Sequence, residues 1–211
     1  MTTHVPWPAL RRGLVAILRG ITPPEAEAVA DVLVEEGFEA IEIPMNSPEP
    51  LRSIGLVARR VGGQVLVGGG TMLTTGDVDQ VRAAGGRLMV SPNMRPAVIA
   101  HAAAAGMVTM PGVLSPTEAF DALDAGASGL KFFPASLMGP GGLAAVLAVL
   151  PKGTVVGAVG GVGPDNMADY MRAGITTFGM GTSVYRPGDD VITVRQKARA
   201  LIGAYDRGRQ G

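Results

Sequence analysis

The sequence predicts a (β/α)₈ TIM barrel of the α/β class, and three observations carry that prediction. Eight short apolar segments recur about every 20 to 25 residues along the chain. Each is followed by a polar or glycine-rich turn and then by a helical pattern. After the first segment stands "LRGITPPE", where an open doubly wound sheet would place G-x-G-x-x-G. Strands alternating with helices at this spacing are parallel βαβ units. With 211 residues, eight such units close a cylinder at the compact end of that fold's usual range of roughly 200 to 400 residues.

Taken in order, "HVPWPALRRG" (4–13) precedes the first strand and is expected to be a short helix or arm over the bottom of the barrel. The first strand, "LVAIL" (14–18), ends at Arg19. "PPEAEAVADVLVEEG" then reads as a helix, with prolines at its start, acids in its first turn and Gly37 at its end. "AIEI" (40–43) carries Glu42, "VLVGG" (65–69) runs into Gly70 and Thr71, and "LMVS" (88–91) runs into Pro92 and Asn93. "MVTM" (107–110) ends in Pro111 and Gly112. "SPTEAFDALDAG" repeats the helix start and stop signals and ends at Gly126. The sixth strand, "GLKFF" (129–133), holds Lys131. "VVGAV" (155–159) ends in Gly160 and Gly161 before a helix expected to open near Pro164, and "TFGMG" (177–181) ends in Gly181, Thr182 and Ser183. No linker interrupts the pattern, so residues 1–211 are expected to be a single domain.

Composition narrows the function. Lys+Arg and Asp+Glu both count 18, which gives no general pull toward nucleic acid or an anionic membrane. Cysteine is absent, so there is no disulfide, thiol nucleophile or thiolate metal site. Of the two histidines, His4 lies near the terminus and His101 in a run of alanines, where it reads as a surface or satisfied helix residue; two isolated imidazoles do not make a three-histidine zinc centre. Neither a metal nor another cofactor is expected. The first apolar run stops at Arg19, too short for a signal peptide, and "LAAVLAVL" (143–150) is far below spanning length. A soluble, cytoplasmic protein is expected.

Barrel active sites gather at the C-terminal ends of the strands, and the polar groups and glycines of this chain collect there. Lys131 is one of only three lysines, with Lys152 and Lys197. It alternates with Leu130 and Phe132 and so points to the opposite side of the wall from them. Directed inward it is partly desolvated, which lowers the amine's pKa, and a neutral amine attacks carbonyl carbon. By the same alternation Glu42 faces inward while Ile41 and Ile43 face helices. A carboxylate beside an imine-forming lysine supplies the acid/base that such chemistry needs; a plain salt bridge is the alternative. The glycine loops "AVGGVGPDN" and "GMGTS" end adjacent strands where barrels frequently hold phosphate, with Thr182 or Ser183 adding a hydroxyl. Arg19 either binds a substrate anion or pairs with Glu42.

The motifs "AILRGITPPEA", "AIEIPMNSPEP", "GGGTML", "MVSPN", "GLKFFPAS", "AVGGVGPDN" and "GMGTSVYR", kept in order over nearly the whole chain, resemble the class I 2-keto-3-deoxy-6-phosphosugar-acid aldolases. The resemblance implies Lys131 as the Schiff-base lysine and Glu42 as general acid/base. It implies substrate-binding roles for Arg19, Thr71, Asn46, Pro92, Phe133 and Val159, and a phosphate end at Gly160, Gly161, Gly181, Thr182 and Ser183. It also implies a phosphorylated sugar-acid substrate and a homotrimer. Asn46 stands where the gluconate branch of the family carries arginine, and Val159 where that branch carries threonine, so the resemblance leans to the galactonate branch. The gluconate epimer, a dual-specificity enzyme, and more remotely a non-covalent isomerase or sugar-phosphate-binding barrel are the competing readings.

Overall fold

The computed structural model describes residues 3–210. In chain order the elements are β1 (Gly13–Ile17), α1 (Pro23–Glu36), β2 (Ala40–Pro44), α2 (Pro50–Val61), β3 (Leu66–Gly70) and α3 (Thr75–Ala83). Next come β4 (Leu88–Val90), α4 (Pro96–Ala104), β5 (Val108–Met110), β6 (Gly112–Val113), α5 (Pro116–Asp124) and β7 (Leu130–Phe132). The chain ends with α6 (Ala135–Leu147), β8 (Val156–Val159), α7 (Met167–Arg172), β9 (Thr177–Met180) and α8 (Val191–Gly208). All eight expected strands are present and all pairings are parallel, in the order β5-β4-β3-β2-β1-β9-β8-β7-β6.

The two ends of that order are one segment of chain. The fifth strand was expected to finish at Met110 before Pro111 and Gly112; it resumes instead as β6. Pro111 has no N–H for the ladder, so the strand is interrupted there without ending. The sheet closes across this break. The carbonyl of Thr109 accepts from the N–H groups of Ser128 and Gly129, each at 3.1 Å, and that of Pro111 accepts from Lys131 N–H at 2.9 Å. Side chains reinforce the seam, since Thr109 N–H donates to Ser128 Oγ and Ser128 N–H to Thr109 Oγ1, both at 2.9 Å and buried.

Two apolar layers result from the period-two alternation. Ile41, Ile43, Leu130 and Phe132 join the layer between barrel and helices. Val15, Ala40, Leu88, Val90, Val108 and Met110 form a second cluster inside the barrel, against which Val5, Trp7 and Leu10 pack. The N-terminal segment is therefore an arm and not a helix, because Pro6 and Pro8 each remove a donor and restrict the residue before them. It plugs the bottom as expected.

Helix signals were read correctly where they were local. The first helix ends at Gly37, whose φ of 99° is left-handed, and α5 begins after Ser115, which accepts from Glu118 N–H. The helix expected near Pro164 starts three residues later at Met167, because Asn166 turns back on the loop: its Oδ1 accepts from Gly163 N–H and its Nδ2 donates to Gly161 O. The helix α6 is broken at Gly139, where φ 63° and ψ 176° interrupt it before Pro140.

Trp7→Ala is expected to unplug the barrel and cost about 2 kcal/mol, or roughly 4–8 °C in Tm for a chain of this size, with little effect on chemistry at the opposite mouth. Thermal unfolding alongside an activity assay checks this.

Candidate active site

Strand alternation and closure together bring two ionisable groups into the upper interior. Glu42 on β2 is 2% exposed and Lys131 on β7 is 6% exposed. The two strands lie on different sides of the barrel, separated by β1, β9 and β8. Burial is the largest influence on each group. It pushes the Glu42 carboxyl above its ordinary value, opposed by the positive charges of Lys131 and Arg19. It pulls the Lys131 amine below its ordinary value, opposed by Glu42 and assisted by Arg19. Each group thus feels the other's charge, yet no ion pair joins them, and Glu42 Oε2 is buried without a hydrogen-bond partner. The plain salt-bridge reading of the pair does not hold. Both groups are biased toward the uncharged forms, an amine able to attack and an acid able to donate.

Lys131 Nζ lies 5.0 Å from the centroid of the Phe133 ring, so the aromatic face shields one side of the amine. Beyond them opens a cavity of about 180 Å³. Its wall includes eleven of the expected residues: Lys131, Arg19, Thr71, Pro92, Phe133, Val159, Gly160, Gly161, Gly181, Thr182 and Ser183. Glu42 and Asn46 do not line it. Asn46 touches a residue of the wall instead, its Oδ1 accepting from Arg19 Nη1. Arg19 Nη2 donates to Thr71 Oγ1 at 3.3 Å. Arg19 therefore bonds to neutral partners and not to Glu42, which leaves its charge uncompensated beside the cavity. Thr71 holds φ 54°, a costly backbone state for a β-branched residue and one that concentrates at functional sites.

Ile17, Val162 and Gly179 also line the cavity and were missed by sequence reasoning. They are small or apolar, and only the pairing of β9 with both β1 and β8 puts them together. The two glycine loops lie side by side on β8 and β9. Gly160 and Gly161 have φ of 89° and 79°, left-handed conformations that favour glycine. Among the described residues, no protein oxygen accepts from the N–H groups of Gly161, Val162, Thr182 or Ser183. His101 bonds Asp79 at 2.7 Å on the outside, as a satisfied helix residue should. No helix among the described residues is long and apolar enough to cross a membrane.

Residues 10–196 match the family model for KDPG and KHG aldolase. The chain belongs to that family. It is accordingly a lyase of the aldolase type, and the resemblance read from its motifs is borne out. It is 55% identical over 203 residues to a probable 2-dehydro-3-deoxy-6-phosphogalactonate aldolase of Rhizobium meliloti, covering 96% of each chain. It is 45% identical over 192 residues to the 2-dehydro-3-deoxy-6-phosphogalactonate aldolase of Escherichia coli, covering 91% of this chain and 94% of the relative. Among solved structures it matches one described as native KDPGal with a TM-score of 0.95 and 42% identity, over 98% of this chain and all of the other.

The lowered lysine value has a consequence for stability. Between Lys131's folded value and the ordinary 10.5, the unfolded chain binds more protons than the folded one, so stability rises with pH across that window. Lys131→Met is expected to be more stable than the native protein near neutral pH by about 1–3 kcal/mol. Its advantage should shrink as pH climbs toward 10.5, measured by urea unfolding at several pH values.

Proposed function

We propose that this chain is a metal-independent class I aldolase that cleaves 2-dehydro-3-deoxy-6-phosphogalactonate to pyruvate and D-glyceraldehyde 3-phosphate. The observation that carries the reading is the buried amine of Lys131 sharing the barrel's interior with the buried, unpaired carboxyl of Glu42. In this reading Lys131 Nζ adds to the C2 ketone. Glu42, through water, protonates the departing hydroxyl, which leaves as water and generates a protonated imine. Glu42 then accepts the C4 hydroxyl proton. The C3–C4 bond breaks, its electron pair flows into the imine to form an enamine, and the aldehyde departs. Protonation of the enamine at C3 and addition of water release pyruvate and free the amine. The iminium is the electron sink, so no metal ion is required.

The phosphate end is read at Gly160, Gly161, Gly181, Thr182 and Ser183, supported by the unengaged N–H groups of both glycine loops. The helix after β8 has six residues and is too short to add a useful dipole, so the loops themselves carry the binding. Arg19, held by Asn46 and Thr71, presents its guanidinium to an anionic group of the substrate. Val159 forms an apolar wall beside Lys131, and Asn46 sets Arg19. These two positions are where the C4 epimers are distinguished. In the same reading the chain is one barrel domain acting as a cytoplasmic homotrimer, by resemblance to the family.

Lys131→Ala is expected to lower turnover by at least ~10³-fold, since no other group supplies the sink. Borohydride reduction with pyruvate should add one pyruvate-derived mass to Lys131 alone, seen by peptide mass spectrometry; an unmodified chain would sink the covalent mechanism. kcat/KM should favour the galactonate epimer. Val159→Thr should shift the ratio toward the gluconate epimer by roughly 10-fold, the size of one hydrogen bond gained. A native preference for the gluconate epimer overturns the choice of substrate.

A further inference from the structure

We propose that Gly70 is a positioning residue for the acid/base carboxyl: its missing side chain is the space in which the Glu42 carboxyl sits. This rests on the reading of Glu42 as the acid/base. Gly70 is the last residue of β3 and pairs with Pro44 of β2. Its φ is outside the left-handed region, so its backbone would accept any residue, and glycine weakens a strand. The reason for glycine lies in what faces it. A Cβ at position 70 would fall 1.6 Å from Glu42 Oε2, 2.3 Å from Cδ and 2.7 Å from Oε1. The three nearest atoms all belong to that one carboxyl.

The neighbouring glycines have other reasons. A Cβ on Gly68 would meet the backbone of Leu88, and one on Gly69 would meet Val81 and Met72 in the helix layer. Two of the three glycines therefore serve packing, and only the third serves the site. The seat matters because no hydrogen bond anchors the inner oxygen of the carboxyl. The charges of Lys131 and Arg19 act on it from a distance, and close packing against the β3 backbone at Gly70 sets where it sits. A methyl at position 70 leaves the carboxyl nowhere to go in a closed interior except away from its place near Lys131.

The native protein, Gly70→Ala, Glu42→Ala and the double variant are compared by thermal unfolding. The native protein, Gly70→Ala and a Gly70→Ala/Glu42→Asp variant are compared by exchange of pyruvate methyl protons with D₂O, followed by NMR. That exchange reads proton transfer on the lysine imine without involving the sugar phosphate. Gly70→Ala should lower Tm by about 4 °C or more when Glu42 is present and by less than half as much in the Glu42→Ala background. Exchange should fall about 100-fold in Gly70→Ala. It should partly recover with Glu42→Asp, which withdraws the carboxyl by one methylene. Equal Tm losses in both backgrounds, native exchange in Gly70→Ala, or no recovery in the Asp variant overturns the proposal. Should Gly70→Ala not fold, the double variant with Glu42→Ala must fold; its failure equally overturns the proposal. A native protein that neither exchanges nor forms a borohydride adduct defeats the aldolase reading instead, and the Tm comparison still judges what Gly70 accommodates.

Discussion

Desolvation of two groups that do not neutralise each other is the constraint on which this structure turns. A carboxyl and an amine within one barrel interior would ordinarily lower their joint cost by forming a hydrogen-bonded ion pair. Here Glu42 and Lys131 feel each other's charge without direct contact. Burial then drives each toward its neutral form, the opposite of what pairing would do. Leaving both groups buried without a mutual hydrogen bond costs stability and biases the amine toward its neutral form and the carboxyl toward its protonated one. Sites that trade stability for reactivity in this way are expected in enzymes.

Holding such a pair open requires a rigid wall. The seam between β5 and β7 supplies part of it. The carbonyl of Pro111 accepts from the backbone of Lys131 itself, and the Thr109–Ser128 bonds lock the adjoining turn. A proline that interrupts a strand would weaken an open sheet. In this closed one it lies at the junction that fixes the backbone of Lys131, and the ladder continues on either side. On the far wall β2 pairs with β3 along its length and with β1 over Ala40, Ile41 and Glu42, which fixes the Glu42 backbone in register.

The loops divide the remaining work. Arg19, Asn46 and Thr71 come from three successive strand ends and fix one another by hydrogen bonds. The glycine loops after β8 and β9 leave amides without partners among the described residues. A positive side-chain arm on one flank and bare N–H groups on the other suit a substrate with anionic groups at both ends. The arm at the opposite end of the barrel fills the interior with Trp7, Val5 and Leu10, which separates the packing function of the bottom from the chemistry of the top.

Local physics determined much of this protein before any coordinate was known. Period-two alternation is a property of each strand alone, so "GLKFF" and "AIEIP" were enough to place Lys131 and Glu42 on the inner face. Helix signals such as Gly37 and Ser115 act within a few residues and were legible for the same reason. What tertiary structure alone decided are relations between strands: that β2 and β7 share one interior, that Gly70 faces the Glu42 carboxyl, that Asn46 bonds Arg19, and that Ile17, Val162 and Gly179 join the cavity. Such relations depend on register and closure, which are set by the packing of residues far apart in the chain, and no local pattern records them.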